Sequence, residues 1–106
     1  MIARLWHGVT ESSKSEEYLD YLFKTGVPDY RATTGNQGVY VLRRVEDDRA
    51  HFLLLTFWES KEAIAKFAGT DIDQARYYEA DKEYLLEFEQ TVRHYEVFVG
   101  CALDSD

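Results

Sequence analysis

One cysteine, Cys101, and one proline, Pro28, are all that this sequence holds of either residue. A lone cysteine excludes an intrachain disulfide and fits a reducing, cytoplasmic setting. With a lone proline and no Ser/Gly-rich stretch there is no linker, so all 106 residues are expected to form a single domain, 1–106. Basic residues are scarce: 12 Lys and Arg stand against 20 Asp and Glu, for a formal net charge of -8. An acidic chain without a basic stripe repels phosphate backbones, which excludes nucleic acid as a partner. The acids are scattered along the chain and read as a solubilising surface. No apolar run approaches membrane-spanning length, so no membrane partner is expected. Met1-Ile2-Ala3-Arg4 opens directly into a strand-like pattern, with no signal-peptide layout. Internal repeats, a P-loop, a dinucleotide fingerprint, a G-x-S-x-G elbow and a paired-cysteine site are all missing.

What the sequence does hold is apolar and aromatic: 45% hydrophobic residues, 15% aromatic, enough for a core at this length. Residues 2–9 read as a first strand. Ser13-Lys14-Ser15-Glu16 has the form of a capping box, followed by Tyr18, Leu19, Leu22 and Phe23 at helical spacing. Gly26 and Pro28 punctuate that helix, with a further turn through Asp29–Arg31 left open. Residues 35–38 read as a turn, 39–45 as a second strand, Glu46-Asp47-Asp48 as a hairpin tip and 49–58 as a third strand. Ser60 is placed to cap a second helix carrying Ala63, Ile64 and Phe67, with Gly69 just past its end. Residues 71–78 read as irregular or a short helix, 80–89 as a final helix with Tyr84, Leu85 and Phe88 on one face, and 91–99 as the last strand.

The order βαββαβ predicts an α+β, ferredoxin-like split βαβ fold: a four-stranded antiparallel sheet in the order 4-1-3-2 with both helices on one face. A bare second face should be polar at every other residue. His51-Phe52-Leu53-Leu54-Leu55-Thr56-Phe57-Trp58 is instead apolar at both parities, so both faces should be covered, most economically by a second copy in a homodimer.

This combination resembles the dimeric α+β barrel superfamily and, within it, the antibiotic biosynthesis monooxygenase family. The residues that carry the resemblance are Ile2–His7, Gly35-Asn36-Gln37-Gly38-Val39-Tyr40-Val41, Leu55-Thr56-Phe57-Trp58-Glu59-Ser60 and Val92-Arg93-His94-Tyr95-Glu96-Val97. The resemblance implies a homodimeric barrel with a pocket between helices and sheet in each protomer. It also implies oxidation of a small aromatic, polyphenolic or quinol-type compound by O₂ without metal, flavin or other cofactor. Haem-degrading relatives use an asparagine on the first strand, a tryptophan on the second helix and an axial histidine after it. Those slots fall here at His7, Phe67 and Tyr77 or Tyr78, none of which matches, which ranks haem binding or degradation lower. A non-catalytic ligand-binding or interaction module of the same fold is the alternative to an enzyme.

The candidate catalytic residues are His7, Tyr77 and Tyr78. A quinol must lose a proton before passing an electron to O₂, and a neutral imidazole is the ordinary base near pH 7. The resemblance puts His7 at a pocket-facing slot; a hydrogen-bonded core histidine is the competing reading. Tyr77 and Tyr78 lie in the least regular segment, where a lid could be. Tyr40, Phe67, Arg43, Arg93 and His94 are the candidate substrate-binding residues. The aromatic ones offer walls for a flat ring, with plain core as the alternative for Phe67 and Tyr84. The arginines offer an anchor for an anion, with ion pairs to neighbouring acids as the alternative. His7, His51, His94 and Glu96 could meet at one sheet end as a metal site, but no metal-binding spacing supports this, and no metal is expected.

Overall fold

The computed structural model describes residues 1–98. Val99 and Cys101 lie outside the described residues. Four strands, β1 (Ile2–Glu11), β2 (Asn36–Glu46), β3 (Arg49–Trp58) and β4 (Arg93–Glu96), form one antiparallel sheet in the order β2-β3-β1-β4. The expected ferredoxin-like order is therefore present. Four helices accompany it: α1 (Ser15–Lys24), α2 (Gly26–Ala32), α3 (Lys61–Ala68) and the single turn α4 (Asp81–Tyr84).

Local chemistry explains most of the boundaries. Ser60 caps α3, its Oγ accepting the Ala63 N–H at 3.1 Å, and Gly69 ends it with φ 93, a conformation that a side chain disfavours. Asp47 takes φ 56 at the β2–β3 hairpin tip, as short polar side chains there often do. Gly35, at φ 94, brings the backbone so close to α3 that a Cβ would lie 2.4 Å from the Ala63 Cβ.

Three expectations are corrected, and the alternative left open after Gly26 is decided. The capping box at Ser13–Glu16 does not form. A 3-10 turn over Ser12–Lys14 leads into α1 instead, while Ser15 and Glu16 both receive Arg43. The open turn after Gly26 is a helix in its own right, α2, with Pro28 inside its first turn where no N–H is needed. Strands β1 and β2 run longer than expected and β4 shorter. Lastly, the helix expected over 80–89 stops at Tyr84. Strand β4 reaches along β1 only from Ile2 to Leu5, which leaves the rest of that edge bare. The backbone of Leu85–Leu86 covers it: Leu85 bridges Thr10, and the Leu86 N–H donates to the Val9 carbonyl at 2.9 Å. Burying Leu85 and satisfying a sheet edge outweigh another turn of isolated helix.

Alternation along the strands divides the sheet into two faces. One carries Arg4 and Trp6 of β1 and Phe52, Leu54 and Trp58 of β3. The helices close over it with Tyr18, Leu22, Tyr30, Ile64 and Phe67. The other carries Leu5 and His7 of β1, His51, Leu53, Leu55 and Phe57 of β3, Tyr40 and Leu42 of β2, and Tyr95 of β4. No helix covers this second face among the described residues.

Candidate functional site

The space between helices and sheet is nearly full. A cavity of about 20 Å³ remains there, walled by Trp6, Tyr30, Arg76, Tyr78 and Asp81 among others, with room for about one water. Trp6 is the reason. Its indole folds back over Gly8, so closely that a Cβ at residue 8 would come within 2.2 Å of the ring. Tyr30 stacks on Phe67 at 4.1 Å, and the Arg76 guanidinium lies over the same Phe67 ring at 4.7 Å. Tyr18 donates to the buried Asp81 at 3.0 Å, and Tyr78 donates to Asp29 at 2.6 Å. Burial, followed by the adjoining carboxylate, pushes both phenols above the ordinary tyrosine range and keeps them protonated. Burial likewise raises the Asp81 carboxyl.

Beside this interior, Arg4 is fully buried and donates to the Gln74 carbonyl at 2.9 Å. Its Nε, the Trp6 Nε1 and the His94 Nε2 are buried without a hydrogen-bond partner. His94 sits across from Arg4 on the helix side of β4 and holds Asp73 at 3.1 Å. Burial first, and then the Arg4 charge, lowers its pKa below the ordinary histidine value.

The open face is built differently. His7 Nδ1 is hydrogen-bonded to the Glu89 carboxylate, and His7 Nε2 lies 3.1 Å from His51 Nδ1. The two imidazoles lie edge to edge and nearly coplanar, with centroids 5.4 Å apart and planes 15° from parallel. Beyond them, Glu46 stands 4.0 Å from His51 Nε2. Two clefts flank this row. One, of about 360 Å³, is lined by His7, Leu5, Leu53, Glu89 and Arg93 among others; the second, of about 380 Å³, is lined by His7, His51, Leu42, Leu53, Arg43 and Arg44.

The structure brings some candidate residues together and separates others. His7 does not face the helix–sheet interior: parity turns it to the open face, and Trp6 occupies the inward slot beside it. Tyr77 reaches His7 through Glu89, whose backbone carbonyl accepts the Tyr77 hydroxyl while its carboxylate holds His7. Tyr78 and Phe67 belong to the interior, whereas Tyr40 is 57% exposed on the open face beside Phe57. These rings therefore do not form one pocket. Arg43 is engaged by Glu16 at 2.7 Å, as the ion-pair reading anticipated, while Arg93 lines the first cleft. His94 and Glu96 face away from His7 and His51, so the four do not converge. Among the described residues no group of three or more His, Cys, Asp or Glu is placed to hold a metal.

Sequence reading missed three participants. Glu89 reads as helical in the sequence, and only the early end of α4 frees it to reach His7. His51 was visible as a sheet-end histidine, but its pairing with His7 depends on the β1–β3 register, which sets His7 opposite Leu53 and Val9 opposite His51. Trp6 could have been marked by Gly8, two residues on and on the same face, the usual sign of a bulky neighbour lying over the backbone.

The family model for antibiotic biosynthesis monooxygenase matches residues 9–75. No curated protein matches the chain. Among solved structures, a candidate antibiotic biosynthesis monooxygenase from Nitrosomonas europaea is similar at 14% identity and TM-score 0.65, over 92% of this chain and 98% of that one. The haem degrader MhuD from Mycobacterium tuberculosis, with two haems in its active site, is similar at 19% identity and TM-score 0.60, over 96% of this chain and 100% of that one. A point mutant of MhuD carrying two manganese protoporphyrin IX molecules per active site is similar at 17% identity and TM-score 0.60, over 96% and 99%. At these identities the likeness is one of fold.

Proposed function

The chain belongs to the antibiotic biosynthesis monooxygenase family, and from that premise we propose that it is a homodimeric, cofactor-independent monooxygenase acting on a small aromatic, polyphenolic or quinol-type compound. The observation that carries this reading is the Glu89–His7–His51 row between two clefts of about 360 and 380 Å³. A carboxylate-anchored imidazole next to a partly apolar cleft is the equipment for taking a phenolic proton. Leu5, Leu42 and Leu53 give a ring apolar contact, and Arg44 and Arg93 supply positive charge for the phenolate. Tyr77 acts indirectly, by holding the Glu89 backbone. A cytoplasmic setting, supported by the single cysteine, completes the reading.

The homodimer is supported by the open face itself. Tyr40 and Tyr95 are 57% and 48% exposed, and with Leu55 and Phe57 they form an apolar strip toward the end of the face away from His7 and His51. Such a strip is a surface for association. A second copy of the same face covers it with a closed twofold contact.

Haem does not fit the interior described here. A cavity of about 20 Å³ admits no porphyrin, no histidine lines it, and burial disfavours the tyrosinate form of Tyr78. The same filled interior favours a second reading, a dimeric binding or interaction module without turnover. Oxygen uptake separates the two. With 1,4-naphthalenediol as substrate, an oxygen electrode should record catalysed consumption that His7→Ala removes while the melting temperature stays within a few degrees. Uptake no faster than buffer, with any of a panel of hydroquinones, would leave the module.

A further inference from the structure

We propose that His94 is an acid-sensitive latch on β4: its protonation frees the strand from β1 and, with Tyr95, takes away part of the face on which a second copy packs. Little else holds this strand. It spans four residues, Arg93–Glu96, and pairs only with Ile2–Leu5, with the Val97 N–H donating to the Met1 carbonyl just past its end. His94 stands on the helix side, directly across from Arg4, with its side chain 14% exposed. Its Nδ1 lies 3.1 Å from Asp73 Oδ1. A carboxylate oxygen only accepts, which favours the hydrogen on Nδ1 and leaves the lone pair of the neutral ring on Nε2. That nitrogen is buried and has no hydrogen-bond partner among the described residues.

A second proton has to enter at Nε2. It creates a buried N–H without an acceptor and puts a cation among cations. Arg4 faces the ring from β1, is 1% exposed and is bonded to the Gln74 carbonyl rather than to a carboxylate. Lys61, at the start of α3, lines the same cleft as His94. Tyr30 of α2 lies against Arg4, and burial keeps its phenol protonated. The acids in reach are Asp73, 69% exposed at its side chain, and Glu96 of β4 itself, also exposed; water weakens both. Burial first, then Arg4 and, more weakly, Lys61 hold the His94 pKa below 6.5, against the pull of Asp73. In a released strand the ring regains its ordinary 6.5. The released form therefore binds the proton first as pH falls through that value, and release grows with acid. Tyr95, the next residue, is 48% exposed on the opposite face, in the strip with Leu55 and Phe57, and leaves with the strand. His7 and His51 also stand on that face, so the control is a variant that keeps both.

The test uses the full-length protein at pH 7.5 and 5.5. Hydrogen exchange, corrected for the intrinsic effect of pH, should show the amides of Arg93–Glu96 losing protection several-fold on acidification. One group titrating at 6.5 in the released strand limits the loss to about tenfold. Amides at the centre of β3 should change less. His94→Asn should abolish the loss. Lys61→Gln, which removes an exposed cation beside the ring, should reduce it and serves where the first variant misfolds. No loss in the parent, or an equal loss in parent and variants, would overturn the latch. Light scattering at micromolar concentration tests the link to association, which rests on the homodimer reading above. The parent should move from dimer toward monomer at pH 5.5, while His94→Asn stays a dimer. A dimer unchanged at pH 5.5 with β4 released would overturn the link. A parent monomeric at both pH values would overturn it through the homodimer itself, with the exchange result still deciding the latch.

Discussion

Leu53 and Leu54 are the same residue type, adjacent on one strand, and they belong to two different environments. Leu54 is 5% exposed among the rings of the helix-covered face; Leu53 looks out on the open face between two clefts. The centre of the helix side is packed until a cavity of about 20 Å³ is left, and two of the polar groups buried there, Asp81 and Tyr18, are tied to each other. The open side is just as apolar along its centre but ends in a row of hydrogen-bonded, partly exposed histidines. Residue type therefore does not decide where chemistry can occur. The paired histidines and the two clefts beside them lie on the side the helices leave alone.

The largest expected effect strikes the open face. Phe57→Asp would place an unpaired charge in each half of the proposed dimer contact, at about 3–5 kcal/mol for such a buried charge. Light scattering at micromolar concentration should give twice 12.4 kDa for the parent and the monomer mass for the variant. A parent that runs as a monomer would remove the second copy from the account. Next comes the leucine pair. Leu54→Ala should cost about 2–5 kcal/mol in urea denaturation at any concentration, as a buried truncation does. The cost of Leu55→Ala, the next residue along and on the open face, should be smaller at high dilution and grow with protein concentration, because it is felt through association. Equal, concentration-independent losses would erase the contrast between the faces.

A subtler check concerns how tightly the interior is closed. Gly8→Ala puts a Cβ within 2.2 Å of the Trp6 ring and should cost about 1–3 kcal/mol through overpacking. Trp6 fluorescence should shift as the ring is displaced. An undisturbed variant would mean that the interior has slack.

The smallest effect is one of pH. His94 has its pKa lowered in the folded state from the ordinary 6.5, by burial and then by Arg4. Above 6.5 both folded and unfolded forms carry it neutral, and its contribution is complete. As pH falls below 6.5 the unfolded chain takes up the proton first, so stability is lost until the folded pKa is passed. Urea denaturation at pH 7.5 and 5.5 should show a smaller drop for His94→Asn than for the parent. An unchanged drop would assign the pH response to other groups, Asp81 included.

Much of the fold was legible. Period-two alternation, the Glu46–Asp48 tip, Ser60 and Gly69 are local signals, and each reports a local preference: a capped N–H, a left-handed turn, a strand that must pack on both sides. The two-sided apolar third strand also announced a face without cover. What stayed hidden was set by partners distant in sequence. Glu89 is 82 residues from His7, and His7 is 44 from His51. Which of Trp6 and His7 points inward follows from strand parity. That Trp6 leaves no space there depends on Gly8, Tyr77 and Leu85 closing around it. The sequence by itself determined the elements, the sheet order and the apolar character of both faces, because backbone propensity and burial pattern act over a few residues. Only the tertiary structure decided which face is filled and which histidines meet, because register and packing are settled between segments far apart in the chain, where a shift of one residue exchanges the faces.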